Sequence, residues 1–246
     1  MTDTLTPEAS LEEFSRLRYP GRGCIIGMNP EGTNIVLGYF ITGRSPASKN
    51  RVLEKQGNAI STAVLDPSLP SGDPAITLYT AITGTDNLYI VSNGNHTATI
   101  LDLDTGQIPF GGFNQGIEQI TYENDEFSTP RIAGAFSLRT GEPRIELALV
   151  QKDPTNNNPL RKTWHPPLKQ GIGYCITTYK GTSEEEIVPF SQEDPWILPI
   201  QGSARTIAKE LWGILPPKHR VAIAILLVDR DGPSGLAITN EREKIA

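Results

Sequence analysis

A chain of 246 residues fits one large domain or two small ones. Its 22 basic and 28 acidic side chains leave a net charge of −6, which argues against a nucleic-acid binder or an anionic-membrane binder. An apolar share of 37% supplies a core and excludes a disordered chain, while 23 glycines and 20 prolines promise many turns and modest helix.

In chain order, Thr6 and Pro7 suit the cap and first position of a short helix. Leu11, Phe14 and Leu17 keep helical spacing until Pro20-Gly21. Apolar runs Cys24–Met28 and Ile35–Ile41, split by Asn29-Pro30-Glu31-Gly32, predict a β-hairpin. Ala59–Leu65 reads as a third strand, residues 67–74 as a loop, and Ile76–Ile82 and Leu88–Ser92 as extended runs around Gly84-Thr85-Asp86-Asn87. Phe113, Ile117 and Ile120 predict a helix over 113–122. Strands return at Ile132–Leu138 and Ile145–Val150, with a turn at Thr140-Gly141-Glu142-Pro143. Residues 151–170 read as a surface loop insertion, Gly173–Thr178 as a strand, Ser203–Leu215 as a capped helix and Val221–Val228 as a buried strand. Eight or so strands with hairpin-like connections and three helices favour an antiparallel α+β fold. No linker divides the pattern, so one domain over 1–246 is expected, with 1–18 a helical extension.

Cys24 and Cys175 are too few for a disulfide framework and read as inert thiols in a reducing compartment. His96, His165 and His219 are too scattered for a structural zinc site. The N-terminus lacks the pattern of a signal peptide, and Val221–Val228, the longest apolar run, is far short of the roughly 20 residues that span a bilayer. A cytoplasmic protein with no membrane partner is the expectation. There is no Walker A loop, H-E-x-x-H or G-x-S-x-G; around Gly21-Arg22-Gly23 a dinucleotide fingerprint fails because Ile26 holds the third glycine position.

Four polar clusters remain. Gly43-Arg44-Ser45-Pro46 with Asn50-Arg51 follows a strand, and two guanidinium forks on one loop can converge on a phosphate dianion. Ser92-Asn93-Gly94-Asn95-His96-Thr97 contains the Asn-Gly hairpin signal but holds more hydrogen-bonding groups than a turn requires. Tyr122-Glu123-Asn124-Asp125-Glu126 places carboxylates after a predicted helix end, where they oppose the dipole, and leads through Thr129-Pro130 to Arg131. Tyr79 in a strand is either a core aromatic or a phenol able to donate or relay a proton.

Together with Tyr19-Pro20-Gly21-Arg22-Gly23, these clusters stand in the order and approximate spacing found in the archaeal-type inosine monophosphate (IMP) cyclohydrolases and their bacterial relatives, which the chain resembles over roughly 19–150 and more loosely at the strand around Tyr174–Tyr179 and the C-terminal helix and strand. The resemblance implies a four-layered αββα fold of two stacked antiparallel sheets, like that of N-terminal-nucleophile hydrolases. It implies a purine nucleotide substrate, ring closure of 5-formamidoimidazole-4-carboxamide ribonucleotide to IMP, and neither metal nor redox cofactor. Glu123 is then the candidate base, or the group that orients the carboxamide. Tyr79 is the candidate oxyanion donor or relay, and Asn93 and His96 would meet the base edge. Arg44, Arg51 and Arg131 are assigned to the 5′-phosphate and the oxyanion, with Ser45, Asn50, Thr129 and Arg22 beside them. Residues 1–18 and 151–170 exceed the archaeal pattern and are candidates for covering the pocket or assembling a homo-oligomer. Competing readings are a related hydrolase acting on another nucleotide or amide, and a non-enzymatic purine-nucleotide-binding protein.

Overall fold

The computed structural model describes residues 6–86, 88–137 and 144–242. Asn87, Leu138 and the Thr140–Pro143 turn lie outside them. Among the described residues, thirteen strands form two sheets in which each neighbouring pair runs antiparallel. The first has the order β11 (Trp196–Pro199), β10 (Ile172–Thr177), β1 (Arg22–Met28), β2 (Ile35–Thr42), β12 (Arg220–Asp229), β13 (Gly232–Asn240). The second runs β3 (Arg51–Gln56), β4 (Ala59–Val64), β5 (Thr80–Gly84), β6 (Leu88–Ser92), β7 (Arg131–Ser137), β8 (Arg144–Lys152), β9 (Pro159–Trp164).

The sheets stack face to face, and the two-residue period of a strand shows it. In β6, Tyr89 and Val91 join the large core between the sheets, while Leu88 and Ile90 join a separate cluster on the outer face. That outer cluster is closed by Ile100 of α4 (His96–Leu103) and by Phe113 and Ile117 of α5 (Gly111–Gln119). On the other side, α6 (Ala204–Ile214) packs Ile207, Ala208 and Leu211 against the first sheet, and α1 (Pro7–Ser15) packs against β11. Four layers in the order αββα result, as the resemblance implied. Close approach of the sheets depends on Gly134, where an added Cβ would lie 2.6 Å from Ile26 Cδ1 across the interface.

Nine strands coincide with the apolar runs of the sequence, with one shift. Ile76 and Thr77, the first two residues of the run predicted over Ile76–Ile82, belong instead to a helical turn, α3 (Pro74–Thr77), capped by Asp73. Four strands were not anticipated. Arg51 opens β3 rather than sitting in a loop, and the supposed insertion 151–170 contains β9. The Asn-Gly segment is followed by α4, and the helix predicted over 113–122 ends at Gln119. No helix among the described residues is long and apolar enough to cross a membrane.

Helix α1 is capped by Thr6 and held by one side chain above all. Phe14, 2% exposed, meets Phe40 of β2 edge-on at 6.1 Å and Trp196 of β11 at 5.8 Å. Phe14→Ala should destabilise the protein by about 3 kcal/mol or more, the usual cost of deleting a buried aromatic. Urea denaturation followed by tryptophan fluorescence measures it; a loss below about 1 kcal/mol would show that α1 is not integrated with the sheet.

Candidate active site

The strand ends that carry the polar clusters meet at one end of the sandwich. Arg22 begins β1, Thr42 ends β2, Arg51 begins β3, Arg131 begins β7, and Tyr179 follows β10. Here the chain crosses from one sheet to the other through residues 43–50, which include α2 (Pro46–Lys49). The cleft so formed has a volume of about 580 Å³, within the range of small-molecule sites. Arg22, Arg44, Ser45, Arg51, Glu123 and Thr129 line it, together with Tyr19, Asp125, Phe127 and Tyr179.

At its floor Glu123 is 1% exposed and fully engaged. Arg22 Nη2 donates to Oε1 at 2.9 Å and to Oε2 at 3.1 Å, and Arg131 Nη1 donates to Oε1 at 2.9 Å. Burial disfavours the Arg22 charge, but Glu123 together with Tyr79, Tyr39 and Tyr179 outweighs it and holds the guanidinium firmly protonated. A proton arriving from a substrate would have to displace an arginine from Glu123. This geometry fits a group that holds two cations in place better than it fits a free base.

Local sequence explains how the triad is set. Glu123 N–H donates to Thr129 C=O at 2.8 Å, closing the 123–129 loop. Inside it Asp125 accepts from Thr129 N–H at 2.8 Å and from Thr129 Oγ1 at 2.6 Å, while Ser128 takes a left-handed φ of 47°. Because the Thr129 hydroxyl donates to Asp125, it accepts from the Tyr179 hydroxyl 2.7 Å away. A directed chain Tyr179–Thr129–Asp125 therefore runs from the cleft wall to a carboxylate. Burial, against the pull of Arg22, pushes the Tyr179 phenol up to about 12, so it is a neutral donor.

Asn93, assigned to the base edge, has no exposed atom. Its amide donates to Pro130 C=O at 2.9 Å and accepts from Ile132 N–H at 2.8 Å, pinning the backbone on both sides of Arg131. Gly94 leaves room for that guanidinium: an added Cβ would stand 2.1 Å from Arg131 Nη1. His96 is 2% exposed and faces Ile132 C=O at 3.3 Å. Asn50 is also internal, its amide donating to the carbonyls of Asp66, Leu69 and Pro70. Tyr79 is absent from the cleft wall; its hydroxyl shares a 2.7 Å bond with Tyr39 beside Arg22. The structure thus gathers Arg22, Arg44, Arg51, Ser45, Glu123 and Thr129 at the cleft, and sets Arg131, Asn93, His96, Asn50 and Tyr79 behind it, Arg131 bonded to the cleft only through Glu123.

Arg44 lies at the rim between the rings of Tyr19 and Phe127, 4.8 and 5.2 Å from their centroids, and donates to Glu184 C=O at 2.6 Å. Tyr179, stacked on Tyr19 at 5.7 Å, is a cleft residue that the sequence reading passed over; its only signal was a tyrosine just past a predicted strand. Cys24 is buried within β1, and burial pushes its thiol far up, so it offers no nucleophile. Among the described residues no group of His, Cys, Asp and Glu is arranged to hold a metal ion.

A family model described as IMP cyclohydrolase-like protein matches residues 19–232. The chain belongs to the IMP cyclohydrolase-like family. An IMP cyclohydrolase from Methanothrix thermoacetophila is 30% identical over 225 residues, which is 91% of this chain and 100% of that protein. One from Methanopyrus kandleri is 29% identical over 181 residues, 72% of this chain and 84% of its own length. One from Methanococcus aeolicus is 26% identical over 163 residues, 66% and 74% of the two lengths. The family match begins at Tyr19, the first residue of the cleft, and leaves α1 outside it.

His96 generates a pH prediction. Burial, then repulsion from Arg131, lowers its pKa from 6.5 to about 3, so it stays neutral when folded. Below pH 6.5 the unfolded chain takes up a proton that the folded chain refuses, so acid favours unfolding. Between pH 6.5 and 5 the parent should lose about 1.6 kcal/mol more stability than His96→Gln, the slope rising toward about 1.4 kcal/mol per pH unit as the unfolded imidazole becomes fully protonated. Equal losses of urea-derived stability between the two pH values in parent and variant would contradict a buried neutral imidazole.

Proposed function

We propose that the chain catalyses ring closure of 5-formamidoimidazole-4-carboxamide ribonucleotide to IMP with loss of water. The observation that carries this reading is Arg22, fixed by buried Glu123 at the floor of a nucleotide-sized cleft with Arg131 behind the same carboxylate, in a member of this family. We place the enzyme in the cytoplasm, as one domain acting on a free nucleotide. The net charge of −6 supports a small-molecule substrate over nucleic acid.

The carboxamide and formamido groups already share one imidazole ring, so the protein's first task is to hold the reactive rotamer. Arg44, with Arg51 and Ser45 on the same crossover, binds the 5′-phosphate. The amide nitrogen then bonds to the formyl carbon while the carbonyl pair moves onto oxygen. Arg22 faces that developing oxyanion from the floor, and Glu123 keeps it aimed there. Arg131 shares the carboxylate and fixes its orientation.

The attacking nitrogen must also lose a proton. The Tyr179 oxygen accepts it as the Tyr179 proton passes to Thr129 and the Thr129 proton to Asp125. Reversal of the same chain returns that proton to the oxyanion and makes it a hydroxyl. The former formamido nitrogen then gives up its own proton, which passes to the hydroxyl as the C=N bond forms, and the oxygen leaves as water. Roles thus move from Tyr79 and Glu123, as read in the sequence, to Tyr179 and Asp125 for proton transfer.

Purified protein incubated with the formamido ribonucleotide should form IMP, followed by its ultraviolet absorbance. An unchanged background rate, with IMP still raising the melting temperature, would favour a nucleotide-binding protein over an enzyme. Tyr179→Phe should lower kcat by about a hundredfold with KM little changed, since it removes only the relay. Arg51→Ala should instead raise KM about tenfold or more through the lost charge-assisted contact. If the two variants exchanged these effects, the division between proton relay and phosphate site would be wrong.

A further inference from the structure

Behind the crossover lies a second cavity of about 200 Å³, lined by Lys49, Arg51, Lys218, Arg220 and Arg242, with Glu241 as its one acidic side chain. Five cations around so small a space is a conspicuous bias in a chain with a net charge of −6. Glu241 is engaged by Arg220 Nε at 2.9 Å, and Lys218 is tied to Glu184 at 2.6 Å. Lys49 Nζ donates only to a backbone carbonyl, that of Lys218, at 3.0 Å. Arg242 has no ion-pair partner among the described residues.

Arg51 gives the cavity its meaning. It is 5% exposed, and its Nε donates to Ser48 C=O at 3.1 Å. Its two terminal nitrogens have no hydrogen-bond partner among the described residues, and the side chain lines both this cavity and the cleft. These nitrogens are not enclosed in the protein; they face the open space of the two cavities, where an anion can take up their donors. Helix α2 and Arg51 therefore form a wall with anion-binding capacity on both faces. Glu241 and Arg242 also lie beyond residue 232, where the family match ends.

We propose that this rear cavity is a second oxyanion site, for a phosphate or pyrophosphate group. A water molecule takes roughly 30 Å³ of liquid, so about 200 Å³ admits one or two phosphoryl groups and no nucleoside. The group is either free inorganic anion or the terminal phosphates of a nucleoside triphosphate whose base stays outside. Because Arg51 serves both sides, an anion in the rear cavity draws that guanidinium away from the cleft, and the two ligands weaken each other. The site stands on the cavity and its charges. Only the antagonism rests on the reading of Arg51 as a nucleotide ligand.

The test is calorimetric titration of the full chain with phosphate, pyrophosphate and ATP. The parent and a K49A/R242A variant, whose two positions lie outside the proposed catalytic machinery, are compared, with melting curves confirming folding. Pyrophosphate should bind the parent, and at least about tenfold more weakly the variant, while IMP affinity changes less than about twofold. Tighter binding of ATP than of pyrophosphate would assign the site to a nucleoside triphosphate, and the reverse to the free anion. Saturating IMP should weaken pyrophosphate binding by the factor with which pyrophosphate weakens IMP, as linkage demands. Equal pyrophosphate affinity in parent and variant, or no binding at millimolar concentration, would overturn the site. None of these readouts uses turnover, so a failure of the cyclohydrolase assay would remain a separate result.

Discussion

One buried carboxylate organises this molecule. Glu123 accepts from Arg22 at the start of β1 and from Arg131 at the start of β7, and so joins the two sheets at the end where the cleft opens. Burying three charges is expensive, and a well-packed apolar cluster would serve stability at least as well. The triad is better understood as an arrangement that keeps two cations fixed and dry. Removing the carboxylate would leave two like charges facing each other, so the site and the sheet packing share one dependence.

Much of what surrounds the triad serves it at one remove. Asn93 pairs with the backbone on both sides of Arg131, a task that a strand neighbour performs elsewhere in β7. Gly94 yields the space the guanidinium fills, and neutral His96 avoids adding a third positive charge beside it. These residues look functional in the sequence because they are polar and clustered. In the structure they are buried and bond to the backbone beside Arg131, and spacing cannot separate such a position from a ligand contact when both demand hydrogen-bonding groups.

The legible part of the fold has a physical boundary. All nine apolar runs correspond to strands inside a sheet, and the four strands missed are β3, β9, β11 and β13, the edges of the two sheets. An interior strand is buried on both faces and reads as a continuous apolar run. An edge strand is half solvated and protected by charge or proline, as in the Arg51–Gln56 and Pro159–Trp164 segments. Helix α4 was hidden for another reason: it starts without a side-chain cap bond, directly behind an Asn-Gly pair that also signals a hairpin. The layering came from the resemblance, because apolar alternation shows that a strand has two covered faces without showing what covers them.

Edge position also explains why Arg51 matters. As the first residue of an edge strand it is buried by the crossover on one side and borders two cavities, where an interior strand residue would be enclosed by neighbours. The crossover is the only link between the end of β2 and the beginning of β3, so its geometry follows from how the sheets stack. Any shift of one sheet against the other would move Arg44 and Arg51 relative to the Glu123 triad. The close approach at Gly134 limits that freedom. Cleft dimensions are thereby tied to core packing, and the positions of Arg44 and Arg51 are set by contacts far from the cleft floor.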